Sequence, residues 1–272
     1  MLNLIPIQSL DATELKPYRT LRRAANHVHQ GIFVAEAEKV VRQLIKTDLE
    51  VISFLLSYEW LEEIKDLIEK KYRDKVKVFV GEEKLLDTIV GFSLHQCIMA
   101  VGKIPKPLKL EEVIQENRHD NLLVALDGLT NADNLGVIVR NCVAFDATAL
   151  IVGETSSSPY LRRAIRQSMG AVFELPIVHT ENLVQTLNLL STRNGFRTIA
   201  ADAHANEIKI ENTDFFGNIC IVLGSEATGI RKNVLNECKE KVTIPLNSKV
   251  DSINVASASA VFLYEAQKRR HV

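Results

Sequence analysis

Apolar positions in the first hundred residues alternate between helical spacing and strand-like runs. They recur every three or four positions within residues 60–71, whereas residues 49–56 form a nearly continuous apolar run. The same patterns predict further helices at residues 15–29 and 36–46, and further strands at residues 31–34, 76–80 and 96–101. Such alternation is typical of a small α/β unit.

A break follows at Pro105 and Pro107, because proline continues neither a helix nor a strand. Beyond it, the pattern predicts a polar helix at residues 111–117 and apolar strands at residues 122–126, 149–152, 197–200 and 219–223. Strands this continuously apolar are typical of a parallel sheet covered on both faces. We therefore predict an α/β protein with a small N-terminal domain at residues 1–102, a linker at 103–118 and a parallel-sheet domain at 119–272.

The amino-acid composition excludes several classes of protein but does not change the predicted elements. The chain has 272 residues, of which 46% are hydrophobic and 25% charged, which suits one large or two modest folded domains and excludes a mainly disordered chain. No apolar run reaches the roughly 18–20 residues of a membrane span, and the N-terminus has no pattern of a secretory signal. We expect a cytoplasmic protein. Because the net charge is only −1, any nucleic-acid surface must be a local patch.

The cysteines and histidines give no sign of a metal centre. Cys97, Cys142, Cys220 and Cys238 form no C-x-x-C pair, and we predict that they are packing residues in a reducing compartment. The seven histidines show no zinc-like grouping with them. P-loop, dinucleotide-binding and nucleophile-elbow signatures are also missing from the sequence. We predict no metal cofactor.

Candidate chemistry is concentrated in three polar segments that follow apolar strands: the first loop (127–136), the second loop (223–230) and the third loop (244–254). Open parallel sheets bind ligands at the carboxyl ends of their strands. The first loop enters a helix whose predicted buried face excludes Arg140 and consists of Leu135, Ile138, Val139, Cys142 and Val143. In the second loop two glycines bracket Glu226, which lets a ligand approach the backbone. These features describe the rim of a ligand site without identifying the ligand.

The three loops, in this order and spacing, resemble the three motifs of the SpoU family of RNA ribose 2′-O-methyltransferases. The residues that carry the resemblance are Asn134, Gly136 and Arg140 in the first motif, Gly224, Glu226 and Gly229 in the second, and Ile244, Pro245, Asp251, Ser252 and Asn254 in the third. The similarity extends over about residues 120–270. Each motif alone is a weak signal, but three in register are specific.

This resemblance implies a SPOUT-superfamily domain whose C-terminal segment forms a trefoil knot, a topology that no sequence pattern suggests. It also implies S-adenosylmethionine bound among the loops, and a homodimer formed through the C-terminal domain. Residues 1–102 resemble the family's ribosomal-protein-like, substrate-binding domain, which we interpret as an independent RNA-binding module. The family often has glycine where Ser248 and Asp146 stand, and a positive φ at Ser248 would strain the third loop.

The resemblance also assigns roles to the loop residues. Those implied to be catalytic are Asn134, Arg140, Glu226, Ser252 and Asn254. Those implied to bind the cofactor are Leu223, Gly224, Gly229, Ile244, Leu246, Ser252 and Asn254. Because a guanidinium stays protonated at neutral pH, we interpret Arg140 as a clamp on an RNA phosphate rather than as a general base. Its positive field would ease loss of the 2′-hydroxyl proton.

Each of these residues also has a simpler structural interpretation. Arg140 can be a solvated helix arginine, and Asn134 can begin the helix in competition with Asn131 and Asp133. Glu226 can order its own turn, or it can orient Arg140 or RNA. Ser252 and Asn254 precede a helix, and both can cap it while still lining a site.

Two groups of arginines are candidate RNA contacts. Arg162 and Arg166 lie one helical turn apart with Arg163 beside them, and like charges so placed repel one another unless an anion joins them. The second group lies near the N-terminus and consists of Arg19, Arg22 and Arg23, with Lys16 close by. RNA phosphate is the candidate anion for both groups, and an ordinary solvated face is the alternative.

Three functions remain in competition. A methyltransferase acting on a ribose 2′-hydroxyl of structured RNA leads, with ribosomal RNA favoured over transfer RNA because of the N-terminal domain. The alternative from another class is an RNA-binding or ribosome-assembly factor that kept the fold and lost catalysis. A knotted enzyme that methylates a base is disfavoured by the motif type.

Overall fold

The computed structural model describes residues 1–89, 97–114, 120–205 and 208–270, without the side chains of residues 269 and 270. Gln96 of the predicted strand and residues 115–117 of the predicted helix lie outside this part. The chain divides into two compact units, which are residues 1–106 with 160–174 and residues 107–159 with 175–272. Strands and helices are numbered below in chain order.

The first unit is built on a five-stranded mixed sheet. Its strands are β1 (Asn3–Pro6), β2 (Ile32–Glu36), β3 (Val51–Ser57), β4 (Lys77–Gly81) and β5 (Ile98–Lys103), in the spatial order β1-β4-β3-β5-β2. Its helices are α1 (Lys16–Arg19), α2 (Ala24–His29), α3 (Glu38–Lys46), α4 (Tyr58–Tyr72), α5 (Glu83–Asp87) and α8 (Arg162–Gln167). The α/β pattern predicted for this region is confirmed. The sequence missed α5 and the exposed edge strand β1, which has almost no buried face to give it a pattern.

The helix predicted at residues 15–29 is wrong as one element. The structure divides it into α1 and α2, with single 3₁₀ turns at Thr13–Leu15 and Leu21–Arg23. Pro17 lies in the first turn of α1, where proline is tolerated, and the helix ends at Arg19, just before Thr20. The Thr20 hydroxyl donates to the carbonyl of Lys16 at 2.9 Å, a local side-chain bond of the kind that competes with helix continuation.

Residues 160–174 belong to the first unit, although the sequence placed them in the domain at 119–272. The rings of Tyr160 and Phe173 pack on Phe33 of β2, with centroids 5.8 and 5.1 Å away. The half-buried Arg162 donates from Nε to Glu36 at 2.6 Å. The local pattern of these residues does not reveal which sheet they join, because an apolar run shows that a segment is buried but not which other segment it packs against.

The second unit contains the predicted parallel sheet. Its strands are β6 (Leu122–Asp127), β7 (Ala149–Val152), β8 (Ile177–His179), β9 (Arg197–Ala201), β10 (Ile208–Lys209), β11 (Ile219–Gly224) and β12 (Glu240–Thr243), in the order β10-β12-β9-β11-β6-β7-β8. Every pairing among these described strands is parallel. The sequence missed β8, β10 and β12, which are short or half-exposed. The central strands β6 and β11 are buried throughout, and Gly224 pairs with Asp127 at their carboxyl ends.

Helices α6 (Leu110–Val113), α7 (Ala132–Ala144), α9 (Leu183–Arg193), α10 (Lys232–Glu237) and α11 (Val255–Arg270) complete this unit. The buried face predicted for α7 is confirmed at four positions, but Val143 is 38% exposed. Val143 lies about 80° round the helix from Leu135, at the margin of the apolar stripe. The Asn141 amide of α7 donates to the Ser259 hydroxyl of α11 at 2.9 Å, which joins the two helices.

Of the two positions where the family often has glycine, the positive φ is found at Asp146 and not at Ser248, where strain was considered. Asp146, which follows α7, has φ +55°, whereas Ser248 is not among the described non-glycine residues with positive φ. Instead, Asn247 shapes the third loop, because its side-chain oxygen accepts from the amide of Lys249 at 3.0 Å. The four cysteines are buried and unpaired, as predicted, and burial raises the pKa of the Cys142 thiol to about 12.

Candidate active site

A cavity of about 470 Å³ lies in the second unit, at the carboxyl ends of β9, β11 and β12. This volume is typical of small-molecule sites. Its wall is formed by residues 201–204, the second loop, part of the third loop and one face of α11. The seven predicted cofactor-binding residues all line it: Leu223, Gly224, Gly229, Ile244, Leu246, Ser252 and Asn254.

The second loop folds back on itself beside this cavity. The amide of Ser225 donates to the carbonyl of Gly229 at 3.1 Å, and the amide of Gly229 donates to the carbonyl of Ser225 at 2.8 Å. A Cβ atom on Gly224 would lie 2.4 Å from both the carbonyl carbon of Gly229 and the amide nitrogen of Ile230. Gly229 itself has φ +66°. Both glycines are therefore required by geometry, and Ser225 rather than Glu226 closes the turn.

Three predicted catalytic residues, one from each loop, are hydrogen bonded in a row. The Asn134 amide nitrogen donates to the carboxylate of Glu226. The Asn254 amide nitrogen donates to Oδ1 of Asn134 at 3.0 Å. Oδ1 of Asn254 accepts from the amide of Ala256 at 2.9 Å, so Asn254 also caps α11. We call Glu226, Asn134 and Asn254 the amide row.

The orientation of the amide row follows from its ends. Glu226 as a carboxylate can only accept, so the nitrogen of the Asn134 side chain must face it and the oxygen faces Asn254. Asn131 caps α7 by accepting from the amide of Asp133 at 2.9 Å, which leaves the Asn134 side chain available for the row. The simple helix-start interpretation therefore applies to Asn131 and not to Asn134.

Arg140 and Ser252 lie outside the amide row. Arg140 is exposed on α7, about 9 Å along the helix axis from Asn134. Within the described part of the chain its side chain has no hydrogen bond or ion pair, and it does not line the cavity. Glu226 thus contacts Asn134 and not Arg140. Ser252 lines the cavity, whereas Asn254 is the residue that caps α11.

A sequence model of the SpoU rRNA methylase family matches residues 121–264, which is more than half of the chain and includes all three loops. This chain belongs to the SpoU rRNA methylase family.

Named relatives agree with this membership. A 23S rRNA (guanosine-2′-O-)-methyltransferase RlmB of Acinetobacter baylyi is 30% identical over 189 residues, covering 68% of this chain and 75% of the relative. RlmB of Haemophilus influenzae is 28% identical over 220 residues, covering 80% of this chain and 89% of the relative. The crystal structure of an AdoMet-bound rRNA methyltransferase from Sinorhizobium meliloti superposes with a TM-score of 0.82, at 22% identity over 98% of each chain. This last likeness shows the shared α/β fold with its parallel sheet.

In this SpoU chain all six predicted RNA-contacting arginines belong to the first unit: Arg19, Arg22, Arg23, Arg162, Arg163 and Arg166. The structure gives them different surroundings. Arg22, Arg23 and Arg166 are exposed, and Arg19 contacts Asp11. The anion beside Arg162 is the carboxylate of Glu36, with only 15% of the Arg162 side chain exposed.

Sequence reasoning missed part of the cavity wall. Residues 201–204 begin at the last residue of β9 and include Asp202, whose carboxylate accepts from the amide of His204 at 3.0 Å. The sequence did contain a signal for this segment, because it lies at the carboxyl end of a predicted strand, where parallel sheets bind ligands. Phe262 of α11 also lines the cavity, and its helix pattern alone did not show that it faces a ligand.

Among the residues that the structure describes, no group of three or more His, Cys, Asp or Glu side chains is placed so that it could hold a metal ion. Similarly, none of the described helices is long and apolar enough to cross a bilayer.

Proposed function

We propose that this chain transfers the methyl group of S-adenosylmethionine to a ribose 2′-hydroxyl of ribosomal RNA. The observation that carries the proposal is the amide row, in which Glu226, Asn134 and Asn254 from three distant loops are bonded together beside the cavity. An inactive RNA-binding factor has no need of this arrangement. The names of the RlmB relatives support ribosomal RNA over transfer RNA and ribose over base.

The cavity fits S-adenosylmethionine in its surface chemistry. Leu223, Ile244 and Leu246 supply apolar contacts suited to an adenine ring, and the bare backbone at Gly224 allows close approach of a ligand. Ser252 and Asn254 add polar side chains at the same wall. When bound, the cofactor supplies an electrophilic methyl group on its sulfonium.

The protein's part in the reaction is to hold the RNA and to stabilise charge. Arg140 would bind the phosphate next to the target ribose through two parallel hydrogen bonds, which fixes the position of the sugar. Its positive charge would favour loss of the 2′-hydroxyl proton to solvent water as the oxygen bonds to the methyl carbon and the bond from that carbon to the cofactor's sulfur breaks. The amide row holds Asn134 and Asn254 rigidly at the cavity rim, where they can hydrogen bond the ribose.

We propose that the first unit binds the RNA substrate. Arg22, Arg23 and Arg166 are exposed there and suited to phosphate contacts. Arg19, Arg162 and Arg163 belong to the same proposal, with Arg162 already neutralised in part by Glu36. Each added phosphate contact steepens the dependence of binding on salt.

We also propose that the chain after β12 forms the family's trefoil knot. β12 lies toward one edge of the sheet, whereas α11 packs on α7 and on the central strand β11. The third loop connects the two and lines the cavity next to the second loop. The chain therefore returns from the edge to the centre across the carboxyl ends of the strands, which supports a knotted path.

The same unit is proposed to form a homodimer through α7 and α11. The proposal is not based on Ala256 and Ser259 of α11, because both are buried against the chain's own Asn141. It is based on Val261 and Tyr264, which are exposed and lie one helical turn apart on α11. The Tyr264 ring lies 6.2 Å from that of Phe145, the residue that follows α7, and Val143 of α7 is also exposed.

We expect light scattering of the full chain to give the mass of a dimer, and Tyr264→Lys to give a monomer. Tyr264 is 52% exposed, so a charge there costs the fold little but opposes burial at an interface. The matched control is Phe216→Lys, since Phe216 is 57% exposed in the same unit outside these helices. A wild-type monomer, or equal effects of the two variants, contradicts the interface.

The methylation itself is tested with labelled S-adenosylmethionine and ribosomal RNA from cells that lack the protein. We expect label in dinucleotides that resist alkaline hydrolysis, because a methylated 2′-oxygen cannot attack the neighbouring phosphate. Transfer RNA is the parallel substrate. Label in a base, label in transfer RNA alone, or no transfer together with no binding of S-adenosylmethionine in calorimetry would each contradict the proposal.

A further inference from the structure

A buried carboxylate lies behind the second loop and belongs to none of the three motifs. Asp127 is the last residue of β6 and is fully buried. Its two oxygens accept from Arg231, one from the backbone amide at 2.7 Å and one from Nε at 2.7 Å. Arg231 directly follows the second loop and precedes α10. These two hydrogen bonds thus join the end of β6 to the end of the second loop, which follows β11.

The guanidinium of Arg231 reaches a third strand end. Its Nη2 donates to Oε1 of Glu154, just beyond β7, at 2.6 Å. Oε2 of Glu154 accepts from the amide of Leu183 at the start of α9, at 2.9 Å. Desolvation is the largest single influence on Glu154 and acts to raise its pKa, but the hydrogen bond from Arg231, two backbone hydrogen bonds and the charge of Arg231 together outweigh it, so the pKa lies below its ordinary value. We call Asp127, Arg231 and Glu154 the arginine tether.

The tether fixes the segments that carry the amide row. The first loop leaves β6 at Asp127 and carries Asn134, while the second loop carries Glu226 and ends just before Arg231. The contact between Asn134 and Glu226 therefore depends on how these two loops are aligned. A guanidinium that bonds two carboxylates sets that alignment by geometry, which a lysine cannot reproduce.

We propose that Arg231 and Asp127 are positioning residues that hold the second loop in its ligand-binding shape before S-adenosylmethionine arrives. That the ligand is S-adenosylmethionine rests on the proposed function, whereas the role of the two residues in ordering the loop does not depend on which ligand binds. A loop that is already ordered loses less conformational entropy on binding, so its ligand binds more tightly.

Arg231→Lys tests this proposal, because it keeps a positive charge beside Asp127 and removes the fork of donors. The matched control is Arg197→Lys. Arg197 also joins two carboxylates, with Nε at 2.9 Å from Glu240 and Nη1 at 3.0 Å from Asp214. The two arginine side chains are 33% and 34% exposed, but Arg197 lies at the opposite, amino end of β9.

The first readout is the Kd for S-adenosylmethionine, measured by calorimetry on the full chain. We expect Arg231→Lys to raise it at least about tenfold and Arg197→Lys less than about twofold, with similar decreases in melting temperature. A general loss of stability would move both variants alike. Equal Kd values for the two variants would overturn the proposal.

The second readout needs no ligand. The amides of Ser225 and Gly229 close the second loop, so their hydrogen exchange reports its order. We expect faster exchange at both amides in Arg231→Lys and no change in Arg197→Lys, and unchanged exchange in Arg231→Lys would overturn the proposal. If the wild type fails to bind S-adenosylmethionine while Arg231→Lys still loosens the loop, the proposed function fails and the positioning role stands.

Glu154→Gln is the milder second variant, in case Arg231→Lys fails to fold. Its side chain is 29% exposed, and the glutamine amide has only one oxygen, which can replace either the carboxylate oxygen that accepts from Arg231 or the one that accepts from the Leu183 amide, but not both. We expect a smaller rise in Kd and in exchange at the same two amides. An unchanged loop in a folded Glu154→Gln protein, together with an unfolded Arg231→Lys protein, would make the tether purely structural and overturn the proposal.

Discussion

Arg140→Ala is expected to lower the rate of methyl transfer at least about 100-fold, the usual size of the loss of one preorganised charge contact. The fold and the affinity for S-adenosylmethionine should stay at wild-type values, because Arg140 is exposed, contacts no described side chain by a polar bond and does not line the cavity. Its role is therefore confined to the RNA and the reacting oxygen. Single-turnover transfer and calorimetry separate the two effects.

The control for this variant is Arg193→Ala. Arg193 is an exposed arginine in the last turn of α9, in the same unit, and should be dispensable. Arg140→Lys should fall between wild type and Arg140→Ala, because lysine keeps the charge and loses the paired donors. A residual rate above about a tenth of wild type in Arg140→Ala, a loss under about 1.4 kcal/mol, would remove Arg140 from the mechanism.

The cavity was predictable from the sequence because its wall consists of strand ends. Leu223 and Gly224 stand at the end of the buried strand β11, and the carboxyl ends of parallel strands meet at one edge. Ile244 follows the half-exposed β12, which the apolar pattern did not predict. The amide row was not predictable, since it joins Asn134 to Glu226 across 92 positions and to Asn254 across 120. Periodicity specifies which face of an element is buried, but not which distant side chain completes a hydrogen bond.

The arginine on α8 shows the same limit. The sequence predicted that the repulsion between Arg162 and Arg166 requires an anion, and the structure supplies Glu36 to Arg162 from 126 positions away. The sequence correctly indicated that an anion lies beside these arginines, but it did not identify that anion. A carboxylate of the same chain relieves the repulsion between the two arginines as well as an RNA phosphate would.

Because residues 160–174 belong to the first unit, RNA binding is best tested in the full chain and not in a fragment that lacks residues 1–117. A chain beginning near residue 118 would lose the first-unit partners of Tyr160, Ile165 and Phe173, which are buried in the full protein. Residues 160–174 would then expose apolar surface, and weaker RNA binding by such a fragment would not separate lost contacts from lost folding. Substituting Arg22 and Arg23 in the full chain avoids this, since both are exposed.

Gly224→Ala is expected to weaken binding of S-adenosylmethionine at least about 100-fold, which corresponds to about 2.7 kcal/mol. The added Cβ would lie 2.4 Å from the backbone of Gly229 and Ile230, closer than carbon atoms approach in proteins. Backbone atoms cannot rotate away as a flexible side chain can, so the second loop must open. Because this loop forms one wall of the cavity and carries Glu226, the same movement breaks the amide row.

The control that separates this effect from simple strain is Gly195→Ala. Gly195 lies between α9 and β9 with φ +67°, and nothing lies within 4 Å of an added Cβ. Alanine there should therefore lower the free energy of unfolding only by the cost of its left-handed backbone conformation, about 1–2 kcal/mol. We expect Gly195→Ala to lower the melting temperature and leave the Kd unchanged, and Gly224→Ala to raise the Kd even where its melting temperature is no lower. A folded Gly224→Ala protein with wild-type affinity would mean that the ligand does not depend on the closed second loop, and would move the binding site away from this cavity.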